Sequence, residues 1–333
     1  MIRQLLIAVL LAASPAAAQP VPSPALPASL LGTGRGLDHV LIWTRDRDGV
    51  TATLAVKLGF QIRPGGDFGD GIANRLLFFP DETYLELLFF TRPGSELRGD
   101  ALGAWRFTER GTAANNFALE VSDPDATAAR LRADRWELYP DTPMTYDPDG
   151  PGPMPATESQ WRTVAFQTPP LAGSDLFFIR YAPFTRTPQQ LADRTVFTRH
   201  PNGGRRLSAV WLVTSDLAAD AGRLRRIGFV EMGSVAVPHF GGRGLRFAAG
   251  RGAIFLITPA GAGEAAAALA ARGPHIFGVS IETADLGRAR RIVQRGYGGE
   301  LRTYAGPFGE SFAAPTRGDL GLTVEFHTAM LNQ

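Results

Sequence analysis

The sequence predicts an α+β fold of four βαβββ modules arranged in two pairs, and three observations carry that expectation. "LDHVLIWTRD" at 37–46 aligns with "LSAVWLVTSD" at 207–216, setting Leu37, Val40, Thr44 and Asp46 over Leu207, Val210, Thr214 and Asp216 at a constant offset of 170. Each run leads into an apolar stripe at helical spacing, Val50, Leu54 and Leu58 in the first and Leu217, Ala221 and Leu224 in the second. Each stripe ends in a Gly-Phe step, Gly59-Phe60 and Gly228-Phe229, where a glycine closes a helix and an aromatic reopens a strand.

In chain order, residues 1–18 place Arg3 before an apolar run from Leu5 to Ala13 and then small residues, the pattern of an export signal cut before Gln19. That run is too short to span a bilayer, and no later stretch nears the roughly 20 apolar residues a span needs. The mature protein is therefore expected outside the cytoplasm, periplasmic or secreted. Residues 19–34 are expected to form a flexible segment before a domain at 35–181. Its first module continues through "NRLLFF" and "TYLELLFF"; its second starts at "NNFALEVSDPDATAARL" and ends in "WRTVAF" and "LFFIRY". The proline-laden stretch 139–159 is too irregular for an element and reads as a lid over a site or a plain surface excursion.

Residues 182–206, rich in Pro, Thr and Arg, are expected to link this domain to a second one at 207–333. There, "GLRFAA" and "AIFLIT" complete module three, the Ala-rich run 264–272 makes a joining helix, and "FGVSIETADLGRARRIV" with "LTVEFH" forms module four. All four modules share an aspartate immediately before the helix.

Composition removes several classes of function. With no cysteine, an exported chain has no disulfide, no thiolate metal site and no cysteine nucleophile. Lys57, on a helix surface, is the single lysine available for a Schiff base. A net charge of +2, scattered along the chain, argues neither for nucleic acid nor for an anionic membrane as partner. The partner expected is a small molecule, and nothing requires more than a monomer.

His39 stands out, an imidazole among Leu37, Val40, Leu41, Ile42 and Trp43 that needs a partner for each ring nitrogen. Alone it reads equally as a satisfied core histidine or a metal ligand. Glu86, among Tyr84, Leu85, Leu87 and Leu88, is costly to bury without a cation or strong donors.

With "LDHVLIWTRD", the "LGF" junction, "GIANRLLFF" and "TYLELLFF" in view, the chain resembles the vicinal oxygen chelate superfamily, and within it the glyoxalase-like domains. The resemblance covers the mature chain as architecture and residues 37–90 as close motif. It implies module pairs curled into open cups of mixed sheet around one divalent metal (Zn, Ni, Mn or Fe), ligated by a first-strand His and a last-strand Glu. On that pattern His39 and Glu86 are the ligands of module one. Seven residues before the other aspartates stand Asn116, Ala209 and Gly278, none a good ligand, and the last-strand positions are Arg180, Phe255 and Glu325.

Consecutive pairing of modules leaves His39 and Glu86 with Asn116 as a weak third, whereas pairing of module one with module four brings Glu325 to them. Lesser ligand candidates are His275, which strand parity turns out of the cup, and His327, on the same strand face as Glu325. Asn74, Arg75, Asn116 and Arg180 are expected to face the substrate, while His200 and His239 are expected on surface loops. The implied function is a metal-dependent isomerase or lyase on a small oxygenated substrate, with Glu86 or Glu325 as base. The alternatives are a metal-free binding or resistance protein and an extradiol-type dioxygenase. The latter needs a second histidine, from His275 or His327.

Overall fold

The computed structural model describes residues 30–140, 161–182 and 185–328. The expected export signal at 1–18 and all of the Pro-rich stretch except Tyr139 and Pro140 lie outside them.

The common aspartate has a local physical cause. Asp46, Asp123, Asp216 and Asp285 are helix N-caps, each accepting a hydrogen bond from a first-turn amide, those of Gly49, Ala126, Ala219 and Arg288. They open α1 (Arg47–Ala52), α3 (Pro124–Ala133), α5 (Leu217–Ile227) and α7 (Leu286–Tyr297). Gly228 ends α5 in the left-handed conformation, at φ 116°, and Gly59 turns the chain at φ 75° after the π-helical turn Thr53–Lys57 that extends α1. A further helix, α2 (Gly99–Phe107), joins the first two modules, and α6 (Glu264–Arg272) joins the last two.

The strands form two curled mixed sheets. The first contains β1 (Gly36–Thr44), β2 (Arg63–Asp67), β3 (Ile72–Phe78), β4 (Tyr84–Phe90), β5 (Ala113–Glu120), β6 (Trp161–Ala165) and β7 (Asp175–Tyr181), in the order β2-β3-β4-β1-β5-β7-β6. The second contains β8 (Gly204–Val213), β9 (Val230–Val237), β10 (Gly242–Ala249), β11 (Gly252–Pro259), β12 (His275–Thr283), β13 (Tyr304–Gly306), β14 (Gly309–Ala314) and β15 (Thr323–Thr328), in the order β13-β14-β15-β12-β8-β11-β10-β9. In each module the first strand lies parallel to the last, and the first strands of two modules meet antiparallel, β1 with β5 and β8 with β12. Modules one and two therefore share a sheet, and so do three and four; the pairing of module one with module four does not occur.

Two details differ from expectation. After α3 the described residues of module two contribute only β6 and β7, with Leu138 bridged to Phe166 where another strand was expected. The segment 182–206 is not a bare linker: α4 (Pro188–Phe197), opened by a capping box of Thr187 and Gln190, lies against the first half, where Arg194 donates to the Phe79 carbonyl.

The two sheets share one apolar core, in which Leu37, Val40 and Ile42 of β1 join Leu207, Val210 and Leu212 of β8 and the helices between them. The opposite sheet faces differ from each other. In the second half the cup is filled: Trp211 stacks on Phe255 at 4.3 Å, and Phe240, Phe277 and Phe308 close around them edge-on. In the first half it is not. Among the described residues no helix is long and apolar enough to cross a membrane.

Candidate functional site

The hollow in the first cup has a volume of about 110 Å³, and its polar end is formed by His39, Asn74 and Glu86. Phe68, Phe78, Tyr84, Trp161, Phe177 and Tyr181 supply most of the remaining wall. Strand alternation explains the lining: Tyr84 and Glu86 of β4 and Asn74, Leu76 and Phe78 of β3 face the hollow, while Leu85, Leu87 and Leu77 face the core. Usual small-molecule pockets are about 300–1,000 Å³, so the hollow takes only a small group, or the end of a larger ligand.

His39 is almost fully buried, stacked on Tyr84 at 4.2 Å and touched edge-on by Phe177 at 5.6 Å. The β1–β5 ladder slips by one residue between Leu37 and His39, which places Asp38 in a bulge. From there Asp38 Oδ2 reaches His39 Nδ1 at 2.7 Å and accepts from Tyr181 Oη at 2.9 Å. Asp38 Oδ1 accepts from Arg251 Nη2 at 3.1 Å. A carboxylate held by a guanidinium and a phenol has only lone pairs to offer the ring, so Nδ1 carries the hydrogen and Nε2 presents its lone pair to the hollow. Burial, then the charge of Asp38, hold the Tyr181 phenol far above its ordinary pKa, which keeps it a donor.

His39 Nε2 stands 3.7 Å from Glu86 Oε2. The other carboxylate oxygen, Oε1, accepts from Asn74 Nδ2 at 2.8 Å, and Asn74 Oδ1 in turn accepts from the Gly66 amide at 2.8 Å. Both polar groups are thus oriented from behind. Asp175, two residues before Phe177 along β7, has its carboxyl pushed up to about 6 by burial.

His39, Glu86 and Asn74 come together; the other expected site residues do not. Arg75 and Arg180 project from the opposite face of their strands, because each lies one residue out of step with the hollow-lining positions. Arg75 donates to Thr51 Oγ1 at 2.7 Å, and Arg180 lies 3.3 Å from Glu120 Oε1. Asn116 pairs with Leu41 across β1 and lies outside the lining, where Ala118 is the register partner of His39.

Glu325 belongs to the other sheet. It is fully buried there, accepting from Ser280 Oγ and Tyr304 Oη at 2.8 Å each, so the three-ligand set with His39 and Glu86 is not assembled. Burial pushes its carboxyl up to about 7. His327 is also in that half; its Nδ1 donates to the Thr328 carbonyl and its Nε2 accepts from Ser208 Oγ, which leaves no lone pair for a ligand.

His275 opens β12. Strand parity does not run unbroken from His275, because the β8–β12 ladder slips between Ile276 and Gly278 and leaves Phe277 in the aromatic filling while Val279 and Ile281 stay in the main core. His200 and His239 are not surface residues. His200 accepts from the Gln61 amide and donates to the Phe78 carbonyl, and His239 stacks on Tyr304 at 3.5 Å. Tyr181 and Arg251 were missed because they lie far from His39 in sequence; Asp38 was visible beside His39, but alternation alone puts it on the wrong face.

A single divalent ion bonded at about 2.0–2.2 Å can bridge two atoms separated as His39 Nε2 and Glu86 Oε2 are. In donor type and spacing the pair suits a borderline divalent ion. Among the described residues no third His, Asp or Glu joins them, so water and ligand oxygens would complete the coordination.

The curled paired-module sheets and the His39–Glu86 pair define a vicinal oxygen chelate protein. Residues 37–228 match the family described as "Glyoxalase-like domain", and the chain belongs to that family. No curated protein matches it significantly. Among solved structures, a mutant of 4-hydroxymandelate synthase from Streptomyces coelicolor is similar at TM-score 0.60 and 14% identity, over 88% of this chain and 92% of that one. A hypothetical protein from Staphylococcus aureus is similar at 0.55 and 12%, over 88% and 98%. A fusion of a xylose isomerase-like TIM barrel with a 4-hydroxyphenylpyruvate dioxygenase is similar at 0.55 and 14%; the likeness covers 92% of this chain and 50% of the fusion. At such identities the likeness shows the fold alone.

Proposed function

We propose that the first cup is an active site for proton transfer on a small oxygenated molecule, of the isomerase or lyase type. One observation carries this reading: Asp38 fixes the His39 tautomer so that a bare Nε2 faces Glu86 Oε2 across 3.7 Å inside an aromatic hollow. In that geometry Glu86 moves a proton to and from the bound molecule at Oε2, while Asp38, engaging Nδ1, keeps the His39 Nε2 lone pair turned into the hollow. Asn74 keeps Oε2 turned inward by engaging Oε1. The aromatic walls exclude water and stack on the ligand's apolar part. A divalent ion would be held by His39 and Glu86, and when bound it supplies Lewis-acid polarisation of two neighbouring ligand oxygens.

A metal-free binding protein is the second reading, favoured by the count of two metal donors in a mostly aromatic hollow. The dioxygenase reading loses its support, since neither His275 nor His327 reaches His39. Elemental analysis and titration of the mature protein with Zn, Ni and Mn separate the first two. About one equivalent, lost in His39→Ala with little change in stability, supports the enzyme; no metal uptake by the wild type supports the binder. The leader sequence supports export, and N-terminal sequencing of protein from the cell envelope is expected to begin at or beside Gln19.

A further inference from the structure

A second crevice, of about 370 Å³, lies where the two halves meet, away from the first cup. It is lined by Arg106 of α2, Glu109 and Arg110 of the turn that follows, Arg272 at the end of α6, and His275. Arg317, at the start of α8 (Arg317–Leu320), adjoins it and lies over the Phe277 ring at 4.3 Å. Among the described residues none of these four arginines has a carboxylate within ion-pair distance, although Glu109 shares the crevice and Glu264 acts on Arg317 from further off.

Arg272 and His275 are also held in place. Arg272 Nη2 donates to the Arg110 carbonyl at 2.6 Å and lies 3.2 Å from that of Thr112, which fixes the guanidinium across the seam. His275 Nδ1 donates to the Gly273 carbonyl at 2.8 Å, while its buried Nε2 has no hydrogen-bond partner. Burial lowers the pKa of Arg272, Arg317 and His275, and the neighbouring guanidiniums lower each further. A buried ring nitrogen without a partner, beside cations that repel one another, makes this crevice suited to a negatively charged group.

We propose that this crevice binds a phosphate-class oxyanion, free or carried on a small molecule, between Arg106, Arg110 and Arg272, with protonated His275 Nε2 donating a further hydrogen bond. Donors approaching from several elements suit a tetrahedral group whose oxygens point in several directions, and guanidinium forks bind such oxygens in pairs. The anion recruits the proton to His275, because neutral Nε2 can only accept. Arg272, Arg317, Arg106, Arg110 and the opposing Glu109 and Glu264 are the charges that set this protonation.

Calorimetric titration of the full chain with inorganic phosphate, glycerol 3-phosphate and sulfate at constant ionic strength tests the proposal. One saturable site is expected, weakened at least tenfold in Arg106→Gln/Arg110→Gln, a double variant that breaks no side-chain hydrogen bond and keeps its thermal midpoint. Tighter binding of the phosphomonoester than of inorganic phosphate assigns the ligand to a small phosphorylated molecule; the reverse assigns it to the free ion. Sulfate, whose charge is constant in this range, should bind several-fold more tightly at pH 6 than at pH 8, and the dependence should flatten in His275→Gln. Absence of saturable binding, an equal response to chloride, or binding undiminished in the double variant overturns the site. None of these variants touches His39 or Glu86, so the result is independent of the first cup.

Discussion

Asp38 decides what His39 can do. Three donors converge on one buried carboxylate, and the ring that donates from Nδ1 is left basic at Nε2. Replacing Asp38 with Asn removes the constraint on the tautomer. The expected outcome is a loss of about 10–100-fold in metal or ligand affinity, read by titration, with about 1–3 kcal/mol of destabilisation from unmatched donors, read by urea unfolding.

Glu325 gives a prediction of the opposite kind. Its folded pKa, pushed up to about 7, lies above the value of an unfolded carboxyl. Its contribution to stability is therefore complete below about pH 4.5 and is lost as pH rises through 7. Glu325→Gln cannot ionise and keeps an acceptor for Tyr304. Relative to wild type, it should gain stability between pH 5 and pH 8, by on the order of 3 kcal/mol; a constant difference across that range would refute this. His200 and His327, each pushed down to about 4 by burial, act in reverse and withdraw stability as pH falls from 6.5 toward 4. The buried charge network around Asp38 was not legible in the sequence, because two of its members, Tyr181 and Arg251, lie more than 80 residues from His39.

Elements were legible where their cause is local. The aspartate before each helix is a cap, the glycine after α5 closes a turn, and both can be read without knowing any tertiary contact. Side-chain facing was legible only where alternation is unbroken. Along β3 and β4 the alternation is unbroken, so Asn74 and Glu86 face the hollow while Arg75, one residue out of step, does not. Along β1 and β12, a one-residue slip moved Asp38 and Phe277 to faces that a period of two does not predict. The last-strand assignment of Arg180 was one residue out of step, and Tyr181 is the residue that faces the hollow.

The filled and hollow cups should answer differently to truncation. Trp211→Ala removes a fully buried ring at the centre of an aromatic cluster and should cost about 3–5 kcal/mol. Phe177→Ala enlarges an existing hollow and should cost clearly less in the same denaturant assay, while altering ligand affinity. Equal costs would mean that the first cup is packed rather than open.

On the scale of the whole molecule, the duplication was legible and the division of labour only in part. Ala209, Gly278 and Phe255 already lacked ligand chemistry in the sequence, but not the service that the second half renders to the first. Arg251, in the turn between β10 and β11, donates to the Leu37 carbonyl at 3.1 Å as well as to Asp38. Arg251→Ala should weaken binding in the first cup by about 10-fold or more, read by titration. If Arg251→Ala binds as the wild type does, the two halves are independent.

The backbones around that arginine are joined as well. Gly36 and Gly250 bridge the two sheets, and a Cβ on either would come within 2.1 Å of the Ala249 oxygen or 1.8 Å of the Arg35 oxygen. This seam limits how the gene can be recombined. A segment carrying only the first pair of modules, moved into another reading frame, would take His39 and Glu86 with it but leave behind the guanidinium that sets the histidine. The half that carries the hollow is thus not a transferable cassette, because its histidine is set by a guanidinium that the other half contributes across the join.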